Sequence, residues 1–313
     1  MAPSKIEKQP KRNKFFRFSL FSLFHPLPSP STSGPLQPVP RDNDDLRIAL
    51  RDIVSATNNF DNQNRFHEDQ HEDLYKSQLF LSGQLVDVVV QRLRCGGSDV
   101  FSPRDRDEVL KDISRLSGLK NKNVVSIVGF CDENDDEVII VYEHPVNGTL
   151  DKHLPYLTLS WVQRLRICVT LAREIRNWNA LGNMRISKIL LDKDWEPMFL
   201  GISSYSRHHL VQLRFGMLLL DVLCDINKMT EDRYDLRDLF MNHYEQGTLD
   251  ENIDYNLRKQ MHPESLAIFS RIAVNCLRQP WENITDDGIL RGLEKALELQ
   301  LKHDNASVKF SAF

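Results

Sequence analysis

Residues 128–154, VGFCDENDDEVIIVYEHPVNGTLDKHL, decide the fold. They hold the end of one short apolar run, 124–130 (VVSIVGF), an acidic connection, and a second run, 137–143 (EVIIVYE). Both runs are rich in β-branched and aromatic residues and bounded by polar clusters, which predicts two strands. After His144 the apolar spacing becomes helical, over 158–180, 210–227, 263–278 and 286–302.

On the N-terminal side, LRIALRDIVSATNNF (46–60) predicts a helix ending at Asn58-Asn59, and LVDVVVQRLR (85–94) a strand. RDRDEVLKDISRLSGL (104–119) predicts an amphipathic helix stopped near Gly118. Strands with one helix first and helices afterwards make an α+β, bilobal chain. The small lobe spans about 46–144, the large helical lobe about 145–302, and 303–313 reads as a flexible tail. No internal repeat is visible.

The 313 residues suffice for such a core, and 41% hydrophobic with 27% charged residues is ordinary for a soluble folded protein. Cys95, Cys131, Cys168, Cys224 and Cys276 lack paired spacing, which suits a reducing compartment and argues against a disulfide framework. Net charge is −4, unevenly divided. Residues 1–17 carry six Lys or Arg against one Glu, so that segment is +5 and the remainder −9. An acidic body disfavours nucleic acid as a partner.

Eight of the 14 prolines fall within residues 1–40, so 1–45 reads as a disordered tail with a basic start, an aromatic patch (FFRFSLFSLF) and a Pro/Ser linker. Residues 5–24 are a candidate for weak peripheral contact with an anionic membrane, Phe15, Phe16, Phe18, Phe21 and Phe24 entering the interface. No lipidation signal supports it: Ala2 stands where myristoylation needs glycine. The apolar runs 15–27 and 215–224 are too short to span a bilayer, and no secretory cleavage site is expected. A cytoplasmic protein, peripheral at the plasma membrane if the tail binds, is the expectation.

With these elements placed, the chain resembles a protein kinase domain. LRIALRDIVSATNNFD is similar to the lead-in of plant receptor-like kinases, and LYKSQLFLSGQLVDVVVQRL to the strands that follow. DISRLSGLKNKNVVSIVGFCDENDDEVIIVYEHPVNGTLDKHL resembles the stretch from the small-lobe helix through the hinge. KILLDKDWEP, FGMLLLDVLC and HPESLAIFSRIAVNCLRQ resemble the end of the catalytic loop, the central large-lobe helix and the final helices. The resemblance covers about 46–302 and is nearest to the FERONIA-like group. It implies a kinase fold and allows each catalytic position to be inspected.

Phosphoryl transfer needs phosphates held, metal held and the nucleophile positioned. The glycine-rich loop aligns with RFHEDQHEDLYK, where no glycine occurs between Gly34 and Gly83 and Glu68, Asp69, Glu72 and Asp73 are expected to repel a triphosphate. The catalytic lysine becomes Gln91 and its glutamate partner Asp112. The catalytic base aligns with Asn183, the loop lysine with Arg185 and the metal-binding asparagine with Lys188. The metal-binding aspartate is missing, since no Asp lies between Asp194 and Asp221, and the activation segment is shortened. At the hinge, adenine bonds would fall on Glu143 and Pro145, and proline has no N–H to give.

His67-Glu68-Asp69-Gln70-His71 matches the H-E-x-x-H pattern, but it lies at a strand turn and is expected as a solvated acidic turn, not a zinc site. The expected function is a pseudokinase that binds proteins as adaptor, decoy or allosteric regulator, with active receptor-like kinases or immune receptors as partners. The alternatives are residual ATP binding with weak phosphotransfer, and a decayed paralogue. No cofactor is expected, ATP entering only with residual binding, and no metal.

Overall fold

The computed structural model describes residues 43–68, 72–96, 105–155, 157–175, 185–202, 211–224, 233–278 and 284–311. The chain divides into two units, 1–37 and 38–313, and every described residue lies in the second.

The valines Val88, Val89 and Val90 explain the small-lobe sheet. They sit in β3 (Gln84–Arg94), between β2 (Glu72–Leu81) and β5 (Glu137–Glu143), with β1 (Arg65–Glu68) and β4 (Ile127–Cys131) at the edges. The order is β1-β2-β3-β5-β4, and every pair is antiparallel. Side chains alternate along a strand. Val89 therefore joins Leu74, Leu93, Ile140 and Tyr142 on one face, while Val88 and Val90 join Tyr75, Ile139 and Val141 on the other. Burial on both faces is why this run is apolar throughout. β2 and β3 connect through Ser82-Gly83, with φ of 48° and 84°, as a two-residue hairpin turn requires.

The N-terminal segment covers the second face. The expected helix over 46–60 is shorter: α1 is Leu50–Ala56, and it buries Ile53 against the sheet. Before it, the Ile48 N–H donates to the Phe130 carbonyl (2.8 Å) and the Arg47 guanidinium pairs with Asp132, so the chain here follows β4 instead of coiling. Gly129 allows that approach, since a Cβ there would stand 2.3 Å from Ile48 Cδ1. The helix ends where the Asn58-Asn59 pair predicts. Asn58, Asn59 and Phe60 all adopt left-handed φ of 51–57°. Asparagine tolerates this; Phe60 is held by the Tyr75 ring at 5.4 Å and the Arg92 guanidinium at 4.1 Å.

On the inner face lies α2 (Arg106–Ser117), capped by Asp105, which accepts from the Asp107 N–H (2.8 Å). Its stripe of Val109, Ile113 and Leu116 packs into the main core. The large lobe holds α3 (Trp161–Glu174), the hairpin β6 (Ile189–Leu191) and β7 (Pro197–Phe199), α4 (Val211–Leu223), α5 (Arg233–Gln246), α6 (Tyr255–Arg258), α7 (Pro263–Leu277) and α8 (Asp286–Ser311). α4 is buried on every side from Leu218 to Leu223, as a central helix must be. α7 packs on α4 and α8, and Trp161 meets Phe269 edge-on at 5.0 Å. One apolar core runs without a break from Leu74, Val89 and Tyr142 through Leu190 to these helices.

Several helix bounds differ from expectation. Ser160 starts α3 with a capping box to Gln163, so the helix expected from 158 begins at Trp161; residues 176–180 lie outside the described residues. α5 is absent from the four expected helices, although Leu236 and Phe240 give it one buried turn-spaced pair. The flexible tail expected at 303–313 is helical to Ser311, because no Gly or Pro interrupts it and Gln300 Nε2 bonds Asp304 (2.8 Å) one turn on. No helix among the described residues is long and apolar enough to cross a membrane.

Candidate functional site

Strand register assembles the site. Glu72 lies opposite Leu93 and Leu74 opposite Gln91, so Glu72, Leu74, Gln91 and Leu93 share the inner face of the sheet. From the large lobe, the 3₁₀ turn Ile186–Lys188 presents Lys188 just before β6. The two lobes meet there. The Lys188 ammonium pairs with the Glu72 carboxylate, which also accepts from Gln91 Nε2. Gln91 Nε2 donates in addition to the Ile202 carbonyl (3.2 Å), and Gln91 Oε1 accepts from the Tyr142 hydroxyl (2.8 Å). His67 Nδ1 lies 3.0 Å from Ser187 Oγ, a further link between lobes.

This cluster is dry: Glu72 is 0% exposed, Gln91 1% and Lys188 8%. Two charges are tolerable at such depth because each meets the other and further hydrogen bonds. Burial, and then the charge of Asp112, push the Tyr142 phenol far above its ordinary range, so it stays a neutral donor. Toward the hinge, burial and the neighbouring Lys76 lower the pKa of His144, and burial with Lys152 lowers that of Lys76.

Of the residues singled out from sequence, Gln91 and Lys188 come together. Asp112 lies beside the cluster on α2, where it pairs with Arg115 at 3.0 Å. Arg185 is exposed at the start of the 3₁₀ turn, and Asn183 lies outside the described residues. Glu143 ends β5, its N–H on the Ser126 carbonyl (3.0 Å), and Pro145 is buried in a turn whose carbonyl accepts from the Gly148 N–H (3.1 Å).

Two expectations are corrected. Of the acidic residues aligned with the glycine loop, Glu72 and Asp73 are buried and paired, while Glu68 stays exposed. Glu72 points inward to Lys188, Asp73 pairs with Arg94 (2.6 Å), and Glu68 pairs with Arg65 (2.8 Å). His67, expected in solvent, is 7% exposed because it reaches Ser187. Asp69, Gln70 and His71 lie outside the described residues. The sequence pattern marks Glu72 only as a charge that repels phosphate, not as the partner of Lys188, and it does not mark Tyr142 at all. Running the alternation of β2 back from Leu74 would have placed Glu72 inward.

The residues present do not fit a magnesium nucleotide. Lys188 stands at the position that the kinase resemblance aligns with a metal-binding asparagine, and no carboxylate occurs from Pro197 to Leu220. At Gly201 a Cβ would lie 2.8 Å from Leu116 Cδ1, so any larger side chain there must displace the Leu116 methyl groups. Among the described residues no group of three His, Cys, Asp or Glu could hold a metal ion.

No family model matches the chain. A receptor-like protein kinase of Arabidopsis thaliana is 28% identical over 351 aligned residues, covering 96% of this chain and 39% of the relative. Receptor-like protein kinase HERK 1 of the same plant is 27% identical over 304 residues (82% of this chain, 36% of the relative), and FERONIA 26% over 300 (81% and 32%). The chain thus spans about two fifths or less of these relatives' length. Among solved structures, the apo GRMZM2G135359 pseudokinase matches with TM-score 0.60 at 20% identity, covering 87% of this chain and 99% of the other. The pseudokinase DRIK1 (drought responsive inactive kinase 1), bound to ENMD-2076, matches with TM-score 0.57 at 20% identity, covering 80% and 96%. The chain has the bilobal protein-kinase fold, and its homologues are the receptor-like kinases of plants, FERONIA and HERK 1 among them.

Proposed function

We propose that the chain is a pseudokinase, without phosphotransfer activity, that serves plant receptor-kinase signalling by binding other proteins. The observation that carries this reading is the buried Glu72–Lys188–Gln91 cluster. The side chains aligned with the lysine that grips phosphate and the asparagine that binds metal are committed instead to a carboxylate of the same chain. The pseudokinase neighbours support the reading, and the receptor-kinase homologues support its setting. Its role is that of an adaptor, decoy or allosteric regulator for active receptor-like kinases or immune receptors. The protein works in the cytoplasm, with residues 5–24 touching anionic membrane weakly.

A phosphotransfer assay with radiolabelled ATP and either Mg²⁺ or Mn²⁺, on the chain itself and a generic protein substrate, is expected to match the enzyme-free blank. Incorporation above blank that Lys188→Met abolishes would defeat the reading. Saturable binding to a purified active receptor-kinase domain is expected of an adaptor; a panel of such domains with no binding favours a decayed paralogue.

A further inference from the structure

We infer that Glu72 occupies, from within the chain, an oxyanion site formed by Lys188 and Gln91, and that withdrawing Glu72 leaves a site for a phosphate group that needs no metal. The inference rests on the preceding reading of the cleft and deepens it.

The donors converge on one anion. Lys188 brings a full positive charge, and Gln91 Nε2 brings one N–H, its other being held by the Ile202 carbonyl. The Gln91 amide is held in one orientation, because its oxygen accepts from Tyr142 while its nitrogen serves Glu72 and Ile202. Such preorganised, water-poor donors bind any oxyanion of suitable size through charge-assisted hydrogen bonds. The Glu72 carboxylate is one such oxyanion, supplied by the protein. It stands on the first residue of β2, so its displacement disturbs only the end of the ladder to β3. Lys188 provides the charge that a metal supplies elsewhere, so a phosphate group can be held there without a divalent ion, which the ammonium repels.

The test is thermal melting of Glu72→Ala and Glu72→Gln in rising phosphate, with sodium chloride holding ionic strength constant. Glu72→Ala should melt below the parent chain and gain about 2 °C or more as phosphate rises to about 50 mM, while the parent gains less. Glu72→Ala/Lys188→Met should lose the gain. ATP with EDTA and inorganic phosphate separate the two sources: a larger gain with ATP assigns the site to a nucleotide, an equal gain to free phosphate. Adenosine should do nothing, and a gain with adenosine equal to that with ATP overturns the oxyanion assignment. A folded Glu72→Ala without a phosphate-dependent gain overturns it too, as does a gain that survives Lys188→Met. Should neither variant fold alone, phosphate must rescue its refolding, and failure to do so counts against the site. None of these readouts measures phosphotransfer, so the pseudokinase reading stands or falls separately.

Discussion

Lys188→Met should destabilise the protein by about 3–5 kcal/mol, the usual cost of stripping one partner from a buried ion pair. Methionine approximates the aliphatic stem of lysine, so packing is nearly preserved and the loss falls on the charge. What remains is the Glu72 carboxylate, 0% exposed, facing the Gln91 amide and deprived of the Lys188 charge. In a chain of this size the midpoint of thermal unfolding should fall by about 10 °C. Removing both charges, as in Glu72→Leu/Lys188→Met, should recover most of the loss, because an apolar pair carries no desolvation penalty. Urea unfolding of the three variants checks this. A single-variant loss below about 1 kcal/mol, the value of an exposed pair, would mean that water reaches the cluster.

Arg164→Ala should cost about 4 kcal/mol or more. Arg164 is 2% exposed on α3, and its guanidinium donates to the carbonyls of Leu154 (2.6 Å), Leu159 (3.2 Å) and Val222 (2.7 Å). It thereby ties the first large-lobe helix to the central α4 and to the chain leaving the hinge. Truncation leaves three interior carbonyls without their donor, at about 1–3 kcal/mol each, together with a void. Arg164→Lys should recover little, because a single ammonium cannot reach acceptors spread around a planar fork. Denaturant unfolding, with the slope checked for unchanged exposed area, measures both variants. A cost within about 1 kcal/mol for Arg164→Ala would show that solvent satisfies those carbonyls.

Local signals carried most of the fold. The valine run of β3, the Asn58-Asn59 stop after α1, the Gly118 end of α2 and the apolar spacing of α7 are each written within a few residues of where they act. The site was legible only in part. Gln91 and Lys188 stand out because they differ from an expected pattern, yet that pattern gives no reason for them to meet. Their common partner Glu72 lies 19 residues before Gln91 in sequence, and its burial depends on a strand register fixed by packing on both faces of the sheet. An acidic stretch reads as a solvated turn or a repulsive loop unless the inward parity of β2 is known, which is why His67 is expected in solvent and Glu72 and Asp73 are expected to repel phosphate. The extension of α8 to Ser311 was missed for a different reason: polar residues such as His303 and Asp304 hold no apolar stripe, although nothing among them breaks a helix.

In the proposed pseudokinase, the charges of the cleft satisfy one another in place of a metal nucleotide. Calorimetric titration of the unmodified chain with ATP and Mg²⁺ tests that most directly. No saturable heat should appear up to about 1 mM nucleotide, the limit of weak binding near 4 kcal/mol. Saturable binding in the micromolar range that disappears when EDTA removes the magnesium would contradict it.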